Sequence, residues 1–182
     1  FTALQLSRLL QRLQTLDATR RTLVVFTSDH GEMLGEKGLW FKMSFFEGSS
    51  RVPLMIHAPQ RYDACTIKEP SSTLDVFPTL LDLAGAELPD DLDGISLMPA
   101  MDGRDETRQV ISEYAAEGSI SPMVMLREGR YKLNVCPADP DQLFDLDADP
   151  NETVNLALEA AHADLYQSMR AHIDSCYDFE AF

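Results

Sequence analysis

The chain has 182 residues, with 15 Lys plus Arg against 30 Asp plus Glu and a formal net charge of −15. That acidity argues against a nucleic-acid partner, while 45% apolar residues exclude disordered and collagen-like classes and suffice for one domain with a small appendage. No apolar run approaches the roughly 18 residues of a membrane helix, so no membrane partner is expected. The sequence begins at Phe1 rather than Met, inside helical patterning, and reads as a piece of a longer protein.

Leu4, Leu6, Leu9, Leu10, Leu13 and Leu16 recur at helical spacing, which predicts an amphipathic helix over Thr2–Leu16. Thr22–Thr27 is an unbroken β-branched and aromatic run, as in a strand buried on both faces of a helix-covered sheet. Helix followed by buried strand marks an α/β fold. Ser28, Asp29, His30 and Gly31 follow that strand, at the end where ligands gather in open α/β sheets. Gly35–Ser50 shows no period and reads as a long functional loop. Arg51–His57 is a second expected strand, with Pro53 near its start. Ser72–Leu83 is an expected helix capped by Ser72 or Thr73, with Leu74, Phe77, Leu80 and Leu81 as its apolar face and Gly85 as its stop. Residues 87–108 are polar and turn-rich, a boundary that divides the chain into 1–100 and a small α+β subdomain over 101–182. In that subdomain Val110–Tyr114, Met123–Arg127 and Tyr131–Cys136 read as strands, the last two forming a hairpin through Arg127–Arg130. A short strand over Gln142–Asp145 and a helix over Leu158–Ile173 complete it.

Residues 1–60 carry 7 basic and 5 acidic side chains and residues 61–182 carry 8 and 25, so an anionic ligand favours the first third. Asp29 and His30 pair a carboxylate with an imidazole, a donor set for calcium, magnesium or manganese; a turn-capping Asp beside a surface His is the plain alternative. Lys42 stands among aromatic neighbours, either as a compact donor to a tetrahedral oxyanion or as a lysine snorkelling from an apolar patch. Glu47 and Arg51 are placed to form an ion pair pinning the loop to the sheet. Asp145–Asp149 resembles the start of a calcium loop, but Pro150 replaces the required glycine and Leu156 the bidentate glutamate, so it reads as a solvated turn. His57, His162 and His172 are expected in core or surface roles. Cys65, Cys136 and Cys176 have no zinc-like spacing and read as reduced thiols, which fits a cytoplasmic setting, a periplasmic one remaining compatible.

Thr27-Ser-Asp-His-Gly-Glu-Met-Leu-Gly-Glu36, Gly38-Leu-Trp-Phe-Lys-Met-Ser-Phe-Phe-Glu-Gly48 and Arg51-Val-Pro-Leu54 resemble the metal-binding and anion-binding segments of the type I sulfatases, in the alkaline phosphatase-like superfamily. Leu74–Gly85, Asp93–Leu97 and Gln142–Glu152 are similar to later landmarks of that family. Trp40–Gly48, Ser112–Gly118 and Pro122–Leu133 place the likeness nearest the choline sulfatases. The resemblance implies the carboxyl-terminal part of an α/β sulfatase fold with an antiparallel-sheet-plus-helix subdomain. It also implies hydrolysis of a sulfate monoester, choline sulfate above all, with a possible homo-oligomer. Asp29 and His30 are then two ligands of a calcium ion, or of magnesium or manganese, and Lys42 contacts the sulfate and the leaving oxygen. Glu113 or Glu117, with Glu117 preferred, faces a quaternary ammonium. The family's nucleophile is a formylglycine made in a Cys/Ser-x-Pro-x-Arg motif, and no such motif occurs here. The expectation is half a site, inactive alone. A phosphonate or phosphate ester hydrolase of the same superfamily and a non-catalytic oligomerisation module are the alternatives.

Overall fold

A computed structural model describes residues 2–104 and 108–179. Phe1, and residues 105–107 of the expected boundary, lie outside the described residues. The fold is mixed α/β and divides into two compact units, one built from the residues up to Asp29 with Val52–Thr66, the other from His30–Arg51 with the residues from Ile67 onward.

In the first unit, helix α1 (Thr2–Thr15) forms as its periodicity predicts but buries none of its residues. Strand β1 (Val24–Thr27) pairs antiparallel with β4 (Leu54–His57), Val24 opposite His57 and Thr27 opposite Leu54. This corrects the expectation of a doubly buried strand: β1 is half-buried, and β4 alternates half-buried Leu54 and Ile56 with exposed Met55 and His57. One partner strand leaves each face of such a ribbon only partly covered. Pro53 precedes β4 rather than lying within it, where its missing N–H disturbs no ladder.

The second unit is organised by a four-stranded antiparallel meander: β5 (Gln109–Tyr114), β6 (Met123–Glu128), β7 (Tyr131–Cys136) and β8 (Asp139–Asp145) in sequence order. The last strand begins three residues earlier than the sequence suggested, because the chain reverses at Pro137 and Ala138 to pair Asp139 with Cys136. Alternation sends Val124, Leu126, Leu133, Val135 and Leu143 to one face. Helix α5 (Ala163–Cys176) covers that face with Met169 and Ile173, closing a fully buried apolar core. Arg170 Nη1 and the Tyr166 hydroxyl both donate to Asp141 on β8, at 2.8 Å each, fixing the helix along the sheet. On the opposite face stand Lys132 and Phe144, the latter with its ring centroid 6.1 Å from that of Phe46. The segment His30–Arg51 therefore packs where α5 does not. Its short pieces are β2 (Met33–Leu34), β3 (Trp40–Phe41) and α2 (Glu47–Ser50).

Helix α3 (Val76–Ala84) begins after a Ser72–Asp75 capping box and ends at Gly85, whose φ is 70°. Its expected apolar face is reversed. Leu74 and Phe77 are more than half exposed, whereas Asp75, Pro78 and Thr79 are buried. Polar bonds turn the helix this way. Asp75 accepts from Ser72 N at 2.8 Å, Ile95 N at 2.9 Å and Arg108 Nη2 at 2.7 Å. Thr79 Oγ1 accepts from Leu97 N at 2.8 Å, and the Ser96 hydroxyl donates to Asp82 at 2.6 Å. Positions 75, 79 and 82 thus form one stripe that carries the 94–97 segment, which leads into the short helix α4 (Met98–Met101). Gly94 is required there, since a Cβ would lie 2.2 Å from the carbonyl oxygen of Leu74.

The 145–149 turn forms without a metal loop, but it is not simply solvated. Asp145 is buried and held by the Arg130 guanidinium, which keeps its carboxyl below the usual carboxylate range. Asp149 accepts from Thr153 N and Val154 N, closing the turn locally.

Because Asp75 and Arg108 are each 4% exposed in their side chains, removing one leaves an uncompensated buried charge. Asp75→Ala is expected to cost about 3–5 kcal/mol by chemical denaturation. A loss under about 1 kcal/mol, the worth of an exposed pair, is the contrary result.

Candidate active site

Gly31 N and Glu32 N donate to Ser49 O and Gly48 O, at 2.7 Å each. These two bonds clamp the segment after His30 onto helix α2, and Gly31 permits the approach: a Cβ there would stand 2.2 Å from Gly48 O. Buried Ser49 then donates its hydroxyl to the carbonyl of Lys42 at 2.5 Å. A continuous chain of hydrogen bonds thereby joins the His30 segment to the lysine loop.

His30 is half-buried, with Nδ1 2.7 Å from Gly31 O. A proton on Nδ1 satisfies that contact and leaves the lone pair on Nε2, the form in which imidazole ligates a metal. Asp29 closes the first unit as an exposed carboxylate that accepts from the Ser28 hydroxyl at 3.3 Å. Among the described residues no three His, Cys, Asp or Glu side chains gather into a metal cluster. The chemistry of the two donors fits a hard divalent cation, and two donors are a minority of the six to eight that calcium takes.

Lys42 is exposed, and its ammonium makes no hydrogen bond or ion pair among the described residues. Lys37, five residues earlier, is committed: its ammonium donates to Glu152 O at 2.5 Å and lies 4.7 Å above the Phe46 ring. Glu117 is exposed in the loop after β5, its carbonyl accepting from the Tyr114 hydroxyl at 2.7 Å. The next residue, Gly118, abuts Met43; a Cβ there would meet Met43 Cγ at 3.3 Å. The Lys42 and Glu117 loops are consequently neighbours. Between them lies a cavity of about 230 Å³, lined by Met43, Ser44, Gly118, Ser119, Ile120 and Asn134 among others. Ser44 Oγ and Asn134 Oδ1 are buried there without a hydrogen-bond partner among the described residues. Glu113 is placed differently, opposite Val124 in the register and on the face that α5 covers.

What holds the lysine loop was not apparent from the sequence. The expected Glu47–Arg51 pair exists only loosely, at 3.9 Å with Arg51 largely exposed. The partner of Glu47 is Lys132 on β7, whose ammonium is 1% exposed and lies 2.9 Å from Glu47 and 2.5 Å from Glu152 while donating to Phe45 O at 2.7 Å. Glu152 also accepts from Glu47 N at 2.7 Å. Arg127 stands opposite Lys132 in the register; burial lowers its pKa, while Glu47 and Asp147 raise it. The available signal was a lysine at an inward position of an apolar strand, which burial forces to find carboxylates.

The family model described as N-sulphoglucosamine sulphohydrolase, C-terminal, matches residues 35–178. The chain belongs to the sulfatases. It is 49% identical over 182 residues to a choline-sulfatase of Rhizobium meliloti (strain 1021), covering 93% of this chain and 35% of that protein. Arylsulfatase K of Mus musculus is 35% identical over 167 residues, covering 85% of this chain and 30% of that protein. The chain thus spans about a third of the length of these curated relatives. Two solved structures are similar. BT4656, in complex with its substrate D-glucosamine-2-N,6-O-disulfate, has TM-score 0.78 and 28% identity, over 93% of this chain and 37% of that one. The phosphonate monoester hydrolase of Agrobacterium radiobacter has TM-score 0.73 and 30% identity, over 94% of this chain and 38% of that one.

Replacing Lys132 with Met strands Glu152 as a buried carboxylate and leaves half-buried Glu47 only its loose contact with Arg51. The expected loss is about 3–5 kcal/mol, with faster amide hydrogen exchange over residues 43–50. Unchanged exchange in that loop would show that its order does not depend on the ion cluster.

Proposed function

We propose that this chain contributes the carboxyl-terminal part of the active site of a sulfate monoester hydrolase whose substrate is choline sulfate, cleaved to choline and sulfate. The observation that carries the reading is the 49% identity to a choline-sulfatase. In that protein residues 1–100 close the catalytic domain, residues 101–182 form the small subdomain, and a formylglycine outside this chain is the nucleophile. The three free thiols support a cytoplasmic setting.

Each residue has a stated task. The Asp29 carboxylate and His30 imidazole would hold a calcium ion, or magnesium or manganese, which when bound supplies positive charge to the sulfate oxygens. The Lys42 ammonium donates to the leaving alcohol oxygen as charge develops there, an interaction stronger in the transition state than in the ground state. That Lys37 is occupied and Lys42 is not supports this choice of cation. Glu117 faces the quaternary ammonium; its loop beside Met43 supports it over Glu113, which shares the face covered by α5.

A second reading, a phosphonate monoester hydrolase, draws on the 30% identity to the Agrobacterium radiobacter enzyme. Comparing turnover of choline sulfate and of a phenyl phosphonate monoester by the purified full-length protein separates the two. The expected outcome is a higher kcat/KM for choline sulfate, and a reversed preference selects the second reading.

In the same protein Lys42→Ala is expected to lower kcat about a hundredfold or more, as loss of one preorganised donor does at a developing oxyanion. Lys42→Arg is expected to rescue it only in part, since a planar guanidinium presents its donors differently. Normal turnover in a well-folded Lys42→Ala protein is the outcome of a snorkelling lysine.

A further inference from the structure

We infer that Ser49 is a positioning residue for Lys42, holding the backbone from which the lysine reaches the leaving oxygen; this rests on the proposed catalytic role of Lys42. Three observations meet at this point. Phe41, immediately before Lys42, has φ 68°, a left-handed conformation that a bulky aromatic residue adopts only when its surroundings impose it. The Lys42 side chain makes no polar contact among the described residues, so what the structure fixes is the backbone point and the Cα–Cβ direction from which the side chain departs. That backbone is held at the Lys42 carbonyl, which accepts the Ser49 hydroxyl at 2.5 Å and Ser44 N at 2.8 Å.

The neighbouring serine shows that this bond is not ordinary helical back-bonding. Ser50 donates its hydroxyl locally, to Phe45 O at 3.0 Å and Phe46 O at 3.2 Å. Such contacts to the preceding turn are what a helical serine makes by default. Ser49 instead reaches back seven residues, out of α2, and its own carbonyl accepts from Gly31 N. One 3%-exposed residue therefore ties the lysine to the segment that begins with His30. A catalytic group displaced by about 1 Å loses on the order of a hundredfold in rate, so this tie governs turnover more than affinity.

The test uses the full-length sulfatase that carries this chain, with kcat and KM measured on choline sulfate for Ser49→Ala, Lys42→Ala and the double variant. Ser49→Ala is expected to lower kcat about tenfold to a hundredfold while KM changes less than about threefold. In the Lys42→Ala background, removal of the Ser49 hydroxyl is expected to cost less than about threefold further, because nothing is left to position. Multiplicative losses in the double variant overturn the positioning role, since a merely structural serine acts independently of Lys42. A crippled Lys42→Ala with normal Ser49→Ala overturns the positioning role alone, whereas normal Lys42→Ala overturns both it and the catalytic reading. If Ser49→Ala does not fold, Ser49→Cys keeps the volume with a weak donor and carries the same comparison; failure of both to fold overturns the inference by making Ser49 a stability residue.

Discussion

The arrangement of the second unit depends on a lysine buried between two glutamates. Lys132 is 1% exposed, and its ammonium is compensated by Glu47, Glu152 and the Phe45 carbonyl. A buried cation is tolerated only when its donors are filled, so these partners are a condition of folding rather than an added benefit. The condition has a spatial consequence. Phe45 and Glu47 lie where the lysine loop runs into α2, and Glu152 lies beyond the last strand, so one ammonium fixes two distant segments to one face of the sheet. Glu152 adopts φ 54° to take part, a local strain that the ion pairs and its bond from Glu47 N offset.

The segments that carry the resemblance to sulfatases gain a physical meaning from this arrangement. Glu47, Lys132 and Glu152 lie in three separate stretches that resemble the family, and each contributes one member of the ion cluster. Asp75 and Gly94 come from two others, and they form the second lock, where the carboxylate binds Ile95 N and Arg108 while the missing Cβ lets the chain pass 94–97 over Leu74. Much of the family likeness in this chain therefore records how loops are fastened. Fewer of those residues are free to meet a ligand.

What could be read from the sequence follows from which forces are local. The strands and hairpin of the meander were legible because alternation and turn residues act within a few positions, and α1 because leucine spacing does. Burial was less legible. In α3 the apolar pattern points to Leu74, Phe77, Leu80 and Leu81, yet the stripe that packs is buried Asp75 and Thr79 with half-buried Asp82, since their partners at 95–97 and 108 are distant in sequence. For the same reason Glu47 was paired with Arg51, four residues away, although its strong partner is 85 residues on. A stretch of apolar residues, as in β1, identifies a strand without specifying how many neighbours cover it.

The same ion cluster also distinguishes the two lysines of the loop. Lys37 and Lys42 both stand in the stretch that sequence marks as basic, and by composition either could serve an anion. Glu152 decides between them. Its carboxylate is taken by Lys132 and its carbonyl by Lys37, whose ammonium also lies over the Phe46 ring. Glu152 thus engages two cations, one by its carboxylate and one by its carbonyl, and leaves a third, Lys42, tethered through its backbone and with no charge partner among the described residues. An ammonium already paired must lose that partner before it can stabilise a developing oxyanion, and this cost falls on the chemical step. A lysine held by its carbonyl and free at its tip avoids that cost, which is the physical reason to place the proposed donor at Lys42 and its support in the surrounding backbone.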